Sequence, residues 1–146
     1  MGPAKYLIFG AMFALAACHS NEPNSAEGDG VTYELTGTRW VPVQLGGASV
    51  KIGEGAREAY IVFNSKDAAV VGYAGCNRIS TSYKQTGSRI SFGDVIATRM
   101  VCSDMATETR LIQAMDAATD WRFVGPQLEL LDSKKTIVAR FDPRNL

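Results

Sequence analysis

The chain predicts a β-rich (α+β) domain: a single small, partly open β-barrel or curled antiparallel sheet with one α-helix, over about residues 104–118, packed in or across it. Three observations lead there. Six short segments, AYIVFN, AAVVGYA, RISF, DWRFVG, QLELL and KTIVARF, are rich in β-branched and aromatic residues and are bounded by Gly, Asn, Asp or Ser, the composition of strands between turns. One stretch, 104–118, lacks Gly and Pro and places Met105, Leu111, Ile112, Met115 and Ala118 on one helical face, the pattern of an amphipathic helix. Little more than about a hundred residues remain once the N-terminal segment is set aside, enough for one hydrophobic core and too few for two.

Taken in order, residues 1–17, MGPAKYLIFGAMFALAA, have a cation at Lys5, an apolar run from Tyr6 to about Ala14 and then small residues, the layout of a secretory signal peptide. The run is shorter than the ~20 apolar residues a spanning helix needs. It ends Leu15-Ala16-Ala17-Cys18, the lipobox of a bacterial lipoprotein. On this reading Cys18 is acylated and becomes the first mature residue; two or more acyl chains, at ~0.8 kcal/mol per buried methylene, hold a protein to a bilayer durably. The alternative is plain cleavage near Ala17 with Cys18 a bystander. His19 follows, not the aspartate that retains many lipoproteins in the inner membrane, so the expected location is the periplasmic face of the outer membrane. Residues 18–33 are polar and rich in Ser, Asn, Pro and Gly, expected as the lipidated cysteine and a flexible linker. The folded domain is expected over 34–146.

Within that domain, RWVPVQL reads as a first strand that Pro42 confines to an edge or a bulge. Turns are expected at Asn64 to Asp67, at Thr86 to Ser88 with Gly87 free to take positive φ, and at Asp132-Ser133-Lys134. In KTIVARF, Ile137, Ala139 and Phe141 share a face opposite Thr136, Val138 and Arg140, the alternation of a half-buried strand. Ser103 or Asp104 can cap the helix. Asp104 and Glu108 stand four apart and are expected on its solvated face.

Chemistry-bearing patterns are sparse. Acidic and basic residues balance at 15 each, and without Lys5 the mature chain is one unit negative; with no basic stripe, nucleic acid is not an expected partner. Leu45-Gly46-Gly47 lacks the lysine and helix of a phosphate loop. The single histidine is His19, so no Cys-His or Ser-His pair exists inside the domain, and no zinc-ligand spacing occurs. No metal site is expected. Of the 3 cysteines, Cys76 and Cys102 remain once Cys18 is lipidated. In an oxidising periplasm the simplest reading is a disulfide, closing a loop of roughly 26 residues for about 3–4 kcal/mol. A reactive or metal-binding thiol is the alternative.

Gly75-Cys76-Asn77-Arg78, then Tyr83, Gly87, Ile90 and Phe92, then Ala97-Thr98-Arg99-Met100-Val101-Cys102, and a helix carrying Glu108 and Leu111, together resemble the HslJ-like META-domain family. The likeness covers about residues 37–141, with Trp40 and Phe63 also where that family places aromatics. Val101 stands where alanine is usual, Ser103 where proline often follows, and Leu111-Ile112 where an aromatic is common. The resemblance implies a small barrel crossed by a helix, found in envelope lipoproteins connected with heat-shock or antibiotic stress. It implies no catalytic residue. Asn77 is expected to satisfy local backbone groups or, with Arg78, to form a binding surface.

The function expected is that of a non-enzymatic lipoprotein, a binding or assembly module that meets the membrane through its anchor and an unknown envelope protein or apolar ligand. It needs no cofactor beyond the covalent diacylglycerol and N-acyl chain on Cys18. Two other readings are a small-barrel carrier of an apolar ligand such as an acyl chain, and a periplasmic thiol or redox protein or protease inhibitor.

Overall fold

Alternating burial along successive short strands determines what the chain can build, because a strand with one apolar face must lay it against others. In the computed structural model, which describes residues 26–28, 31–51, 57–103 and 105–144, the elements are β1 (Ala26–Gly28), β2 (Val31–Tyr33), β3 (Arg39–Leu45), β4 (Ala48–Ser49), β5 (Tyr60–Asn64), β6 (Ala69–Tyr73), β7 (Arg78–Thr86), β8 (Arg89–Phe92), β9 (Ile96–Ala97), α1 (Ala106–Ala117), β10 (Asp120–Val124), β11 (Gln127–Leu131) and β12 (Ile137–Arg144). The expected signal peptide, Cys18 and the linker up to Ser25 lie outside the described residues.

All six strand segments form strands, and RWVPVQL is β3. The three expected turns form as well. Asn64 accepts from the Lys66 amide, Gly87 takes φ 58°, and the Asp132 carboxylate accepts from the amides of Lys134 and Thr136.

The sheet closes on itself. Strands β3, β5, β6, β7, β8, β10, β11 and β12 follow one another around the ring, and β12 returns to β3. The small barrel with one helix forms as expected, and it is closed rather than partly open because β12 pairs with β3 from Ala139 to Arg144. Asp142, Pro143 and Arg144 pair with Val41, Trp40 and Arg39, which removes the free edges that an open sheet would expose. Pro42 sits at the bulge that was one of its two expected roles: the β12–β3 register shifts between Arg140 and Phe141, with Phe141 opposite Pro42 and Arg140 opposite Gln44. It is not on an edge strand.

The interior is filled. Trp40, Leu45, Ile61, Phe63, Val70, Leu128, Leu130 and Phe141 are buried to 1% exposure or less, and Trp40 donates its indole N–H to the Leu35 carbonyl at 3.0 Å. Each large apolar side chain so buried contributes about 1.5–3 kcal/mol.

Helix α1 supplies Leu111, Ala114 and Met115 to the same core. It packs against β3, β8, β11 and β12, and since β3 and β8 stand on opposite sides of the ring, the helix crosses one mouth of the barrel. It begins later than expected: Met105 holds the N-cap position without a side-chain hydrogen bond, two residues beyond Ser103, and Asp104 lies outside the described residues.

Two differences from the sequence reading bear on the rest. Within the segment expected as linker, β1 pairs with β2, Ala26 opposite Tyr33, and Tyr33 leans on Trp40 with ring centroids 6.4 Å apart. Glu108, expected in solvent, is 7% exposed. No helix among the described residues is long and apolar enough to cross a membrane.

Candidate functional site

Strand β6 ends in a turn that only its local sequence allows. Gly75 takes φ 99°, a region costly for residues with a Cβ, and the Ala74 amide donates to the Asn77 carbonyl at 2.8 Å. The turn brings Cys76 to Cys102, with Cα atoms 6.0 Å apart and a disulfide between them. That is the pairing expected for the two domain cysteines.

Asn77 is the centre of the knot that follows. Its side-chain oxygen accepts from the Thr98 hydroxyl and from the Met100 amide, both at 2.7 Å. Its side-chain nitrogen donates to the Met100 carbonyl at 3.2 Å and to Glu108 Oε1 at 3.1 Å, and its own amide donates to Glu108 Oε2 at 2.9 Å. Both amide donors and both oxygen lone pairs are therefore used, as a buried amide requires. Asn77 is 2% exposed, so of the two residues named for a binding surface, this one is spent on holding the turn, the β9–α1 segment and the first turn of the helix together. Burial is also why Glu108 left the solvated face: its carboxylate answers two polar groups of Asn77, the backbone amide and the side-chain nitrogen, that would otherwise lie unpaired in the interior.

Arg78 is the residue that this knot presents. Its amide is held by the Thr98 hydroxyl at 3.2 Å, its carbonyl accepts from the Thr98 amide at 3.1 Å, and its side chain is exposed. It lies directly across β6 from Tyr73, which in turn stands opposite Tyr60 of β5. Because Ile61, Phe63 and Val70 point into the core, the alternation turns Tyr60 and Tyr73 outward.

Together with Arg39, Arg57, Glu58, Val71 and Gly72, these residues line an open groove of about 590 Å³ on the outer wall. Arg39 lies over the Tyr60 ring, its guanidinium carbon 4.0 Å from the centroid, a cation–π contact of about 0.5–1 kcal/mol at an exposed site. The floor depends on Gly72: a Cβ there would run into the Tyr60 carbonyl oxygen and lie 3.0 Å from the Ile61 Cα.

Elsewhere on the barrel, charge serves structure. Glu129 accepts from Arg140 at 2.7 Å and from Arg122 at 2.8 Å across neighbouring strands. Burial alone would raise its pKa, but the hydrogen bonds from Arg140 and then Arg122 outweigh it and the carboxyl titrates below its usual range. The Lys135 ammonium bonded to Asp120, with the Thr119 hydroxyl, lowers that carboxyl in the same way. Burial pushes the Tyr83 hydroxyl up. No cluster of metal-ligating side chains occurs among the described residues.

Sequence reading named Arg78 but missed Arg39, Arg57, Glu58, Tyr60 and Tyr73 as its neighbours. A signal was present. The Asn64 to Asp67 turn sets the register of YIVFN against AVVGY and places Tyr60 opposite Tyr73; the contribution of Arg39 from a strand further round the ring is not readable that way.

No curated protein matches the chain. Among solved structures it is similar to an NMR structure of a protein from Burkholderia xenovorans, at 24% identity and a TM-score of 0.58, covering 77% of this chain and 85% of that one. It is also similar to a second NMR structure at 19% identity and a TM-score of 0.56, covering 73% of this chain and 89% of that one. Both likenesses concern the fold. The META domain profile matches residues 33–145, a span that holds the disulfide, the Asn77 knot and the whole barrel, and the chain belongs to the META domain family.

Proposed function

We propose that this chain is a non-catalytic binding module, tethered by an acylated Cys18 to the periplasmic face of the outer membrane and serving the envelope under stress. The observation that carries the binding reading is the groove of Arg39, Arg57, Glu58, Tyr60, Tyr73 and Arg78: charge and flat rings gathered in a concavity, with its one carboxylate paired to Arg39 rather than to a nucleophile. Concave sites with a few convergent polar groups are the usual form of a small-molecule site. The tether reading rests on the lipobox at Leu15 to Cys18.

The other readings gain less. A carrier of an acyl chain needs room where Trp40, Phe63, Phe141 and the helix side chains already pack. A thiol enzyme needs a thiolate, whereas Cys76 is bonded to Cys102.

Fractionation of cells making the full chain tests the tether. The wild-type chain is expected in membranes, resisting salt and released by detergent, while Cys18→Ala appears in the soluble periplasmic fraction. Release of the wild type without detergent, or retention of Cys18→Ala on membranes, would contradict the reading.

A further inference from the structure

The groove carries unbalanced charge. Three arginines line it with a single acid, Glu58, and among the described residues Arg57 and Arg78 have no ion-pair partner. Arg39 does meet Glu58, but through one nitrogen at 3.4 Å, and its Nε is buried without a hydrogen-bond partner. The same barrel shows what a committed pair looks like: Arg140 gives Glu129 Oε1 two charge-assisted bonds, at 2.9 and 2.7 Å, shorter than the single Arg39–Glu58 contact. Glu58 is thus loosely held at a guanidinium that is equipped to hold an acid tightly.

The geometry beside it is as specific. Arg57 and Glu58 precede β5, and Arg78 lies across the Tyr60–Tyr73 pair from Arg39. The backbones of β3 and β7 are three strand spacings apart, roughly 14 Å, with two outward tyrosine rings between them. The volume, about 590 Å³, is that of a small-molecule site, typically ~300–1,000 Å³.

We infer that the groove binds an anion carried on a ring that can lie against an aromatic face, a carboxylate or phosphate group attached to a sugar or an aromatic ring. The anionic group takes the place of Glu58 at Arg39, with Arg57 beside it. The ring lies on Tyr60 and Tyr73, and Arg78 reaches a second acceptor at the far end. Arginine is suited to both ends, because its fork matches either oxyanion and it stacks on aromatic faces. Glu58 then acts as an internal competitor, covering the site when it is empty. This deepens the binding-module reading and depends on it.

Isothermal titration calorimetry on the full chain, purified in a non-ionic detergent, tests the inference with three probes: glucuronate, phenyl phosphate and the neutral phenyl glucoside. At least one of the two acids is expected to saturate the protein while phenyl glucoside does not, and binding is expected to weaken with added salt. Binding of glucuronate alone identifies a sugar acid, and binding of phenyl phosphate alone a phosphate. Arg78→Gln and Arg39→Gln are each expected to weaken binding about tenfold, the loss of one charge-assisted hydrogen bond. Glu58→Gln is expected to tighten it several-fold, an increase that damage to the fold would not produce. Arg110→Gln, on the exposed face of α1, should change nothing. Silence from both acids at millimolar concentration, equal weakening by Arg110→Gln and Arg78→Gln, or no gain from Glu58→Gln would overturn the site. Membrane retention of the same protein would leave the tether reading standing in that event.

Discussion

Asn77 shows how much of this fold depends on single polar side chains. Its amide joins three segments through bonds to Thr98, Met100 and Glu108, and removing it leaves the buried Glu108 carboxylate without its partner, at ~1–3 kcal/mol for a stranded buried group. Asn77→Ala is therefore expected to lower unfolding free energy by about 2–3 kcal/mol, and Glu108→Gln, which turns one acceptor into a donor facing the Asn77 donors, by a similar amount. Urea unfolding measures both; a loss below about 0.5 kcal/mol, the range of ordinary surface substitutions, would contradict the knot. Gly72→Ala is expected to destabilise through the clash with the Tyr60 carbonyl, by about 1–3 kcal/mol as overpacking does; an unchanged urea midpoint would count against that close approach. The sequence displayed the need for a polar residue after Gly75 but not the inward turn of Glu108, because helical spacing places Glu108 on a face without saying what covers that face.

At the scale of elements, legibility followed side-chain chemistry. Strands rich in Val, Ile and Phe, such as β5 and β6, were readable because their composition suits a pleated, half-buried surface. Strand β7, RISTSYKQT, was not. It alternates buried Ile79 and Thr81 with exposed Arg78, Ser80 and Ser82, and a hydroxyl as the inward group hides the period. Thr81 is tolerated inside because its hydroxyl donates to the Gly93 carbonyl at 2.8 Å. The Cys76–Cys102 disulfide fastens the start of this strand to the segment before α1. Its removal in a Cys76→Ala/Cys102→Ala double variant is expected to cost about 3–4 kcal/mol through a freer unfolded chain, measured by urea unfolding of the oxidised wild type and the variant. Equal stability of the two would show that the knot, not the bond, holds the element in place.

At the scale of the whole molecule, closure is what the sequence left unstated. A run of strands with one helix fits an open or a closed barrel alike; the decision rests on residues 139–144 pairing with β3, a contact between the two ends of the domain that no local pattern announces. Closed and filled, the barrel leaves its outer wall as the place of the proposed binding groove. Its pH response follows from Asp120 and Glu129, whose pKa values are depressed in the folded state. Their stabilisation is full above the unfolded carboxylate range, about pH 4, and is lost as pH falls through the lower folded values. Melting temperature is thus expected to hold from neutral pH to about pH 4 and to fall below it, less steeply in Asp120→Asn/Glu129→Gln; an unaltered slope in that variant would remove these groups from the explanation.

The proposed anchor and the disulfide are tested most directly by the intact mass of the full-length product extracted from membranes without reductant, before and after alkylation under denaturing conditions. The expected result is a chain beginning at Cys18 with its acyl groups and no alkylation. A mass without acyl groups, or two alkylated thiols, would contradict the tether or the Cys76–Cys102 bond respectively.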